Sequence, residues 1–529
     1  MNTSRAYKTR RHQKRFLIFL IILLILNTTA AVILFALSPF NSNLPNLSDS
    51  IDSADSPDSS DSLESDDSSL KYIFLFIGDG MSHAQITLAS QYKTTVERKE
   101  RGNGNLAMLD FDMTGMAFID NASTIIGESA ASATAMASGV KTYSSYLNYD
   151  IDGNRTETIA EKLKKQLNYK IGVISSVNLN HATPAAFYAH QYSRYSNNGD
   201  IFLNLLDSGF DFFGGGTIFG IGDAETATGK SFWELLDEKG YKFIPRDNIS
   251  GFESLKAGDE KIIAVAPKLD IYGTLPYAID YINNKAPDIL TLADFTKKCI
   301  ELLHNDTGFL IMVEGGKIDW CGHANDAATL IHEVVAFDEA IGEAVKFYEE
   351  NPHDTLIIVV GDHETGGLSL GYSETYTSTY LQYLQKQKIS YSEFSRIVAQ
   401  YRENQIAFDD ILPDIERYFG ITSDYDGTSN FYFSEEDIQK LRAAYEQSLI
   451  DPSIRYFTMK EYASYGMYDP LTTVITAITS KKSGITWGSF SHTFVTVPVF
   501  AMGNGADLFS GVYHNSEIFH KLKNLLNFE

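Results

Sequence analysis

Potential metal ligands recur in this sequence directly after short apolar runs. Asp79 follows Tyr72–Ile77 within Gly78-Asp79-Gly80, and Glu314 follows Phe309–Val313 and precedes two glycines. Asp362 and His363 follow Leu356–Val360 and Gly361, while His181 and Thr183 lie shortly after Ile171–Ile174. Carboxylate oxygens suit magnesium, and a mixture of oxygen and imidazole nitrogen suits zinc. Any one of these acids could be an ordinary turn or cap residue. Four apolar runs ending in such groups read together as a metal site. Asp319-x-x-x-His323 adds a carboxylate and an imidazole that share one face if the segment is helical. Ser129 opens Ser-Ala-Ala-Ser-Ala-Thr-Ala-Met-Ala-Ser, which Gly139 closes. Its small residues predict a closely packed helix with Ser129 at the positive N-terminal end. One reading of Ser129 is a simple N-cap. The other is a nucleophile activated by the dipole and by a nearby cation. Paired cations roughly 3.5–4 Å apart would stabilise both the entering and the leaving oxygen of an in-line displacement.

The elements that must carry these groups follow from the pattern. Continuous apolar runs bounded by glycines predict strands buried on both faces. Helical periodicity falls between them, at Ile159–Leu167 and at Ala327–Tyr348 with Leu330, Ile331, Val334, Val335 and Ile341 on one stripe. Alternating strands and helices predict an α/β fold, a mostly parallel central sheet with helices on both faces. Ligands in such sheets bind beyond the carboxyl ends of the strands, where Asp79, His181, Thr183, Glu314, Asp362 and His363 fall. The stretch from about 371 to 484 is rich in tyrosine and carries no motif for chemistry. Ser390-x-x-Glu393 and Ser434-x-x-Asp437 predict helix starts within it, making it a large, partly helical insertion. Its place between two ligand segments suggests a site-covering or subunit-contact role, with idle surface elaboration as the alternative.

Taken in order, several segments resemble the alkaline phosphatase family. They are Gly78-Asp79-Gly80-Met81-Ser82, Glu128-Ser129-Ala-Ala-Ser-Ala-Thr134, His181-Ala-Thr183-Pro-Ala-Ala186 with Arg194 beyond, Val313-Glu314-Gly-Gly-Lys-Ile-Asp319, His323, Asp362-His363 and Ser491-His492-Thr493. The resemblance spans about 71–370 and 484–529. It implies phosphate monoester hydrolysis through a phosphoserine on Ser129 at a site with two Zn2+ and one Mg2+. Asp319, His323 and His492 would hold one zinc; Asp79, Asp362 and His363 would hold the other, joined by Ser129. Asp79, Thr183 and Glu314 would hold the magnesium, and Arg194 would grip two phosphoryl oxygens. Three departures mark this chain. Glu128 stands where many members have Asp, His181 where some bacterial members have Asp, and Trp320 where those have Lys. An imidazole at His181 softens the third site towards zinc, and Trp320 removes a cation that could assist phosphate binding. The same superfamily holds phosphodiesterases and sulfatases, which are the rival activities. A surface metal-binding protein that kept the scaffold without turnover is the rival of another class.

Composition narrows the partners. The 529 residues carry a net charge of −25, which excludes a general electrostatic grip on nucleic acid. Only Cys299 and Cys321 occur, so a disulfide-stapled scaffold and a four-cysteine zinc site are both excluded. Residues 1–15 hold six cations and no acid, and 16–37 are almost wholly apolar. That predicts a basic cytoplasmic tail and a transmembrane signal-anchor, with a cleavable signal peptide and a secreted product as the alternative. Residues 38–70, rich in Ser and Asp, read as a disordered tether to a catalytic domain over 71–529. The expected localisation is therefore the cell surface or the periplasm. The expected partners are small phosphate esters, the membrane and a second copy of the chain.

Overall fold

The computed structural model describes residues 70–96, 106–195, 198–259, 261–282, 288–423, 425, 427 and 429–529. Its strands are β1 (Tyr72–Gly78), β2 (Met113–Phe118), β3 (Lys170–Ser175), β4 (Phe212–Gly215), β5 (Lys242–Ile244), β6 (Ile262–Val265), β7 (Phe309–Glu314), β8 (Thr355–Gly361), the two-residue β9 (Glu364–Thr365), β10 (Ser369–Leu370), β11 (Ile485–Thr486) and β12 (His492–Thr493), then β13 (Val497–Gly503) and β14 (Gly511–His514). Ten of them form one sheet in the order β14-β2-β13-β8-β1-β7-β3-β4-β6-β5. Every neighbouring pair is parallel except those made by β13, which runs antiparallel to both β8 and β2. The expected mostly parallel α/β fold is therefore present.

Alternation along β1 shows how the sheet is sealed. Tyr72, Phe74 and Phe76 enter one buried apolar cluster, and Ile73, Leu75 and Ile77 enter another on the opposite face. A strand covered on both sides reads as an unbroken apolar run, which is why its sequence shows no polar alternation. The helix Ala327–Glu350 packs its Leu330, Ile331, Val334 and Ile341 into the first cluster. The small-residue helix Ser129–Ser138 is buried along its whole length and ends at Gly139 in the left-handed conformation, with φ 76°. Ala130, Ala133, Met136 and Ala137 pack into the second cluster.

Between β10 and β11 the chain builds a third apolar cluster from Phe394, Val398, Ile411, Ile415, Leu441 and Ile475. The helices Tyr391–Asn404 and Glu435–Ser448 start where expected. Ser390 accepts from the Glu393 N–H and Ser434 from the Asp437 N–H.

The expected membrane anchoring and the cell-surface or periplasmic localisation built on it are corrected. No helix among the described residues is long and apolar enough to cross a membrane. The longest, Ala327–Glu350, carries His332, Glu333, Asp338 and Glu339 along its middle, which a bilayer would not tolerate. The basic tail, the apolar run at 16–37 and the Ser/Asp-rich stretch after it lie outside the described residues.

Candidate active site

The four central strands β8-β1-β7-β3 end side by side, and that common edge carries the ligand-type residues. Gly78 pairs with Gly361, so Asp79 and Asp362 leave the sheet together; Ile77 and Ser175 both pair with Glu314. Two glycines make this crowding possible. Gly80 has φ 72°, and a Cβ there would lie 2.7 Å from the Asp319 Cα. A Cβ on Gly361 would lie 1.9 Å from the Met81 carbonyl oxygen. Absent side chains at these points let the helix Lys317–His323 and the turn after β1 close on one another.

Three clusters result, each with ligand atoms within 4.8 Å of one another: Asp319, His323 and His492; Asp79, Asp362 and His363; and Asp79, His181 and Glu314. In the first, His323 Nε2 and His492 Nε2 lie 3.3 and 3.5 Å from Asp319 Oδ1 and 3.1 Å from each other. His323 Nδ1–H donates to the Phe490 carbonyl at 2.7 Å, and His492 Nδ1–H to the Gly127 carbonyl at 2.9 Å. A carbonyl can only accept, so Nδ1 carries a proton in both rings and both Nε2 atoms are turned into the same space beside Asp319. There they are placed to ligate one cation, which would take the place of any proton shared between them. Burial lowers the basicity of His492, but the Asp319 carboxylate outweighs it and lifts the pKa to about 9. Burial likewise opposes ionisation of Asp319, and His323, His492 and His363 hold its carboxyl well below the usual range regardless.

The second and third clusters are dominated by buried acids held close to one another. Burial, then Asp362, Asp319 and Glu314, push Asp79 well above the ordinary carboxylate range. Burial carries Glu314 to about 8 and Asp362 to about 7. Asp79 Oδ2, Asp362 Oδ2, Glu314 Oε1 and His181 Nδ1 are buried and have no hydrogen-bond partner among the described residues. Polar atoms buried together without partners are costly. The oxygen-rich set at Asp79, Thr183 and Glu314 and the mixed N/O sets elsewhere are chemically suited to divalent cations.

Ser129 stands between these clusters, its Oγ 3.4 Å from both Asp79 Oδ1 and His363 Nε2. It is the first residue of its helix; the N-cap is Glu128, not the serine. Glu128 accepts from the N–H groups of Ala130 at 3.0 Å, Ala131 at 2.7 Å and Ser145 at 2.8 Å. Because Glu128 fills the cap, the Ser129 hydroxyl is left free to face the cleft. Arg194 lies 3.8 Å from Glu128 and 2.8 Å from His181 Nε2. Burial, then the Arg194 guanidinium, lowers His181 to about 3, so its ring is neutral and Nε2 accepts from Arg194. Glu128→Ala should therefore lower stability by about 1–2 kcal/mol, the range of a lost N-cap, read as the shift in a urea transition. An unchanged transition would contradict the capping role.

Several supporting residues carry no sequence signal of their own. Thr365 Oγ1 donates to Asp319 Oδ1 at 2.5 Å, and Ser175 makes a very short hydrogen bond to Glu314. Glu364 accepts from Gln85, Thr493 and the N–H groups of Gly367 and Leu368, which fixes β9 against β12 and brings His492 over His363, ring centroids 3.7 Å apart. Cys321 is buried and belongs to none of the three clusters.

The chain is similar to known proteins in sequence and in fold. A family model described as alkaline phosphatase matches residues 70–214 and 268–528, running through the 371–484 stretch and leaving 215–267 unmatched. Alkaline phosphatase 3 of Bacillus subtilis is 27% identical over 460 residues, 86% of this chain and 88% of its own. The alkaline phosphatase of Escherichia coli is 33% identical over 345 residues, 56% of this chain and 70% of its own. A cold-active alkaline phosphatase from the psychrophile Shewanella sp. superposes with a TM-score of 0.69 at 28% identity, covering 86% of this chain and 99% of that one.

Proposed function

The chain belongs to the alkaline phosphatase family, metal-dependent enzymes that hydrolyse phosphate monoesters, and on that premise we propose that it works through a phosphoserine on Ser129. The observation that carries this reading is Ser129 Oγ at a helix start, 3.4 Å from both Asp79 and His363, in one cleft with Arg194. Asp319, His323 and His492 would hold one zinc, and Asp79, Asp362 and His363 a second beside Ser129. Asp79, Thr183 and Glu314 would hold a magnesium, with His181 at its edge. When bound, such cations supply Lewis-acid neutralisation of charge on the entering and leaving oxygens.

The remaining work falls to the chain's own groups. Arg194, held by His181 and Glu128, presents its planar fork to two phosphoryl oxygens. Ser129 Oγ attacks phosphorus in line, the ester P–O bond breaks, and the alcohol leaves. Water then attacks the phosphoserine, the Oγ–P bond breaks, and inorganic phosphate departs as Ser129 regains its proton. Residues 71–529 form the catalytic unit in this reading. The 371–484 stretch acts as a wall over the site, since Tyr391 and Tyr468 line the cleft.

A metal-replete assay with matched aryl phosphate monoester, diester and sulfate ester tests the activity. The monoester should exceed both others in kcat/KM by at least ~100-fold, the scale of one lost charge-stabilising contact. A diester or sulfate ester turned over as efficiently would place the chain with the rival activities.

A further inference from the structure

The cleft at Ser129 holds about 780 Å³. Its lining includes Ser129, Arg194, Asp319, His323 and His492, together with the aromatic residues Tyr272, Trp320, Tyr391 and Tyr468. The Tyr272 and Trp320 rings meet at 90° with centroids 5.7 Å apart, and the Tyr391 and Tyr468 rings meet at 86°, 5.6 Å apart. Trp320 follows Asp319 on the same helix, so this aromatic corner begins one residue from the proposed zinc ligands. Among the described residues lining the cleft, Arg194 is the only lysine or arginine.

The corner is held rigidly. Lys317, fully buried, donates from Nζ to Asp270 Oδ2 at 2.5 Å, Thr274 Oγ1 at 2.9 Å and the Leu275 carbonyl at 2.9 Å. Asp270 in turn accepts from the N–H groups of Tyr272 at 2.9 Å and Thr274 at 3.0 Å. The loop that presents Tyr272 is thus tied to the helix that carries Asp319 and His323. On the other side, Tyr391 shares a 2.6 Å hydrogen bond with Tyr277, whose ring lies 3.4 Å from Lys317 Nζ. Tyr272 keeps about half its surface exposed, so the ring remains available to a ligand. Aromatic surfaces fixed in advance bind a planar group without a further ordering cost.

We propose that Tyr272, Trp320 and Tyr468 form a leaving-group subsite that selects monoesters of planar, uncharged alcohols, nucleoside 5′-monophosphates above all. A sugar phosphate lacks the face to stack, and a nucleoside polyphosphate brings charge that the cleft cannot neutralise. The proposal rests on the phosphomonoesterase reading above. It is tested by comparing adenosine 5′-monophosphate with methyl riboside 5-phosphate, which keeps the same primary alkoxide and lacks the base. On the purified, metal-replete protein the ratio of their kcat/KM values should favour the nucleotide by ~10-fold. Tyr272→Ala and Tyr468→Ala should each bring the ratio towards unity, and Tyr272→Phe, which keeps the ring face, should restore it. Taking the ratio within one preparation cancels any loss of folded or metal-loaded enzyme. A wild-type ratio near unity, or a ratio untouched by both alanine variants, overturns the subsite while leaving the phosphomonoesterase reading intact. Hydrolysis of neither ester overturns the reading on which it rests.

Discussion

Ser129→Ala should lower phosphate monoester turnover by ~10³-fold or more, the scale seen when a covalent nucleophile is removed. The hydroxyl lies 3.4 Å from both Asp79 and His363, and the helix behind it directs its N-terminal dipole there. The N-cap belongs to Glu128, so the alanine variant keeps the helix start and loses only the attacking oxygen. Metal content should stay close to that of the unchanged protein, because Asp79, Asp362 and His363 remain. Ser129→Ala should still bind inorganic phosphate through Arg194. A variant with turnover within ~10-fold of the unchanged enzyme would point to a different nucleophile.

Stripping divalent cations with a chelator should abolish turnover and destabilise the protein, with a loss that grows as pH rises. Glu314 is carried to about 8 and Asp362 to about 7, in each case by burial first, and Asp79 is pushed in the same direction. In an unfolded chain the same acids titrate near pH 4. Between about pH 4 and 8 the metal-free folded state therefore holds protons that the unfolded state has released. Stability is highest below the unfolded value and falls as pH rises through the folded ones. Each acid protonated only in the folded state adds a slope of about 1.4 kcal/mol per pH unit. Bound cations take the place of those protons and flatten the slope. Asp319 acts in the opposite sense, since its three histidine neighbours hold it low, and its contribution is lost only at pH below the usual carboxylate range. Urea transitions at pH 5 to 8, with and without cations, should show the gap between the two forms widening with pH. A gap of constant size would contradict this account of the buried acids.

Much of this was legible in the sequence because the sheet leaves a strong signature. Strands buried on both faces appear as unbroken apolar runs, and the ligand-type residues sit at their ends: Asp79 and Asp362 just after β1 and β8, and Glu314 as the last residue of β7. The i,i+4 spacing of Asp319 and His323 placed them on one helix, and the structure puts His323 Nε2 3.3 Å from Asp319 Oδ1. Ser129 was legible as a helix start, with the N-cap and the nucleophile readings both open, and the structure gives the cap to Glu128. His181 was legible only as an imidazole near the third cluster. Its hydrogen bond to Arg194 depends on how the 182–194 segment turns back, which no local pattern encodes. Thr365, Ser175 and Gln85 were invisible for the same reason, since a hydroxyl or amide that supports a carboxylate has no characteristic spacing from it. The aromatic corner draws Tyr272, Trp320 and Tyr468 from distant segments, and only the fold unites them. The membrane reading came from residues 16–37, outside what the structure describes.

Acid quenching of the enzyme during turnover of a phosphate monoester labelled on phosphorus, followed by proteolysis and peptide mapping, tests the central claim most directly. The account predicts one acid-stable labelled peptide, containing Glu128-Ser129-Ala130, with the phosphoryl group on Ser129 and no label in Ser129→Ala. Label on any other residue, or turnover with no trapped phosphoenzyme under conditions that favour its accumulation, would contradict it.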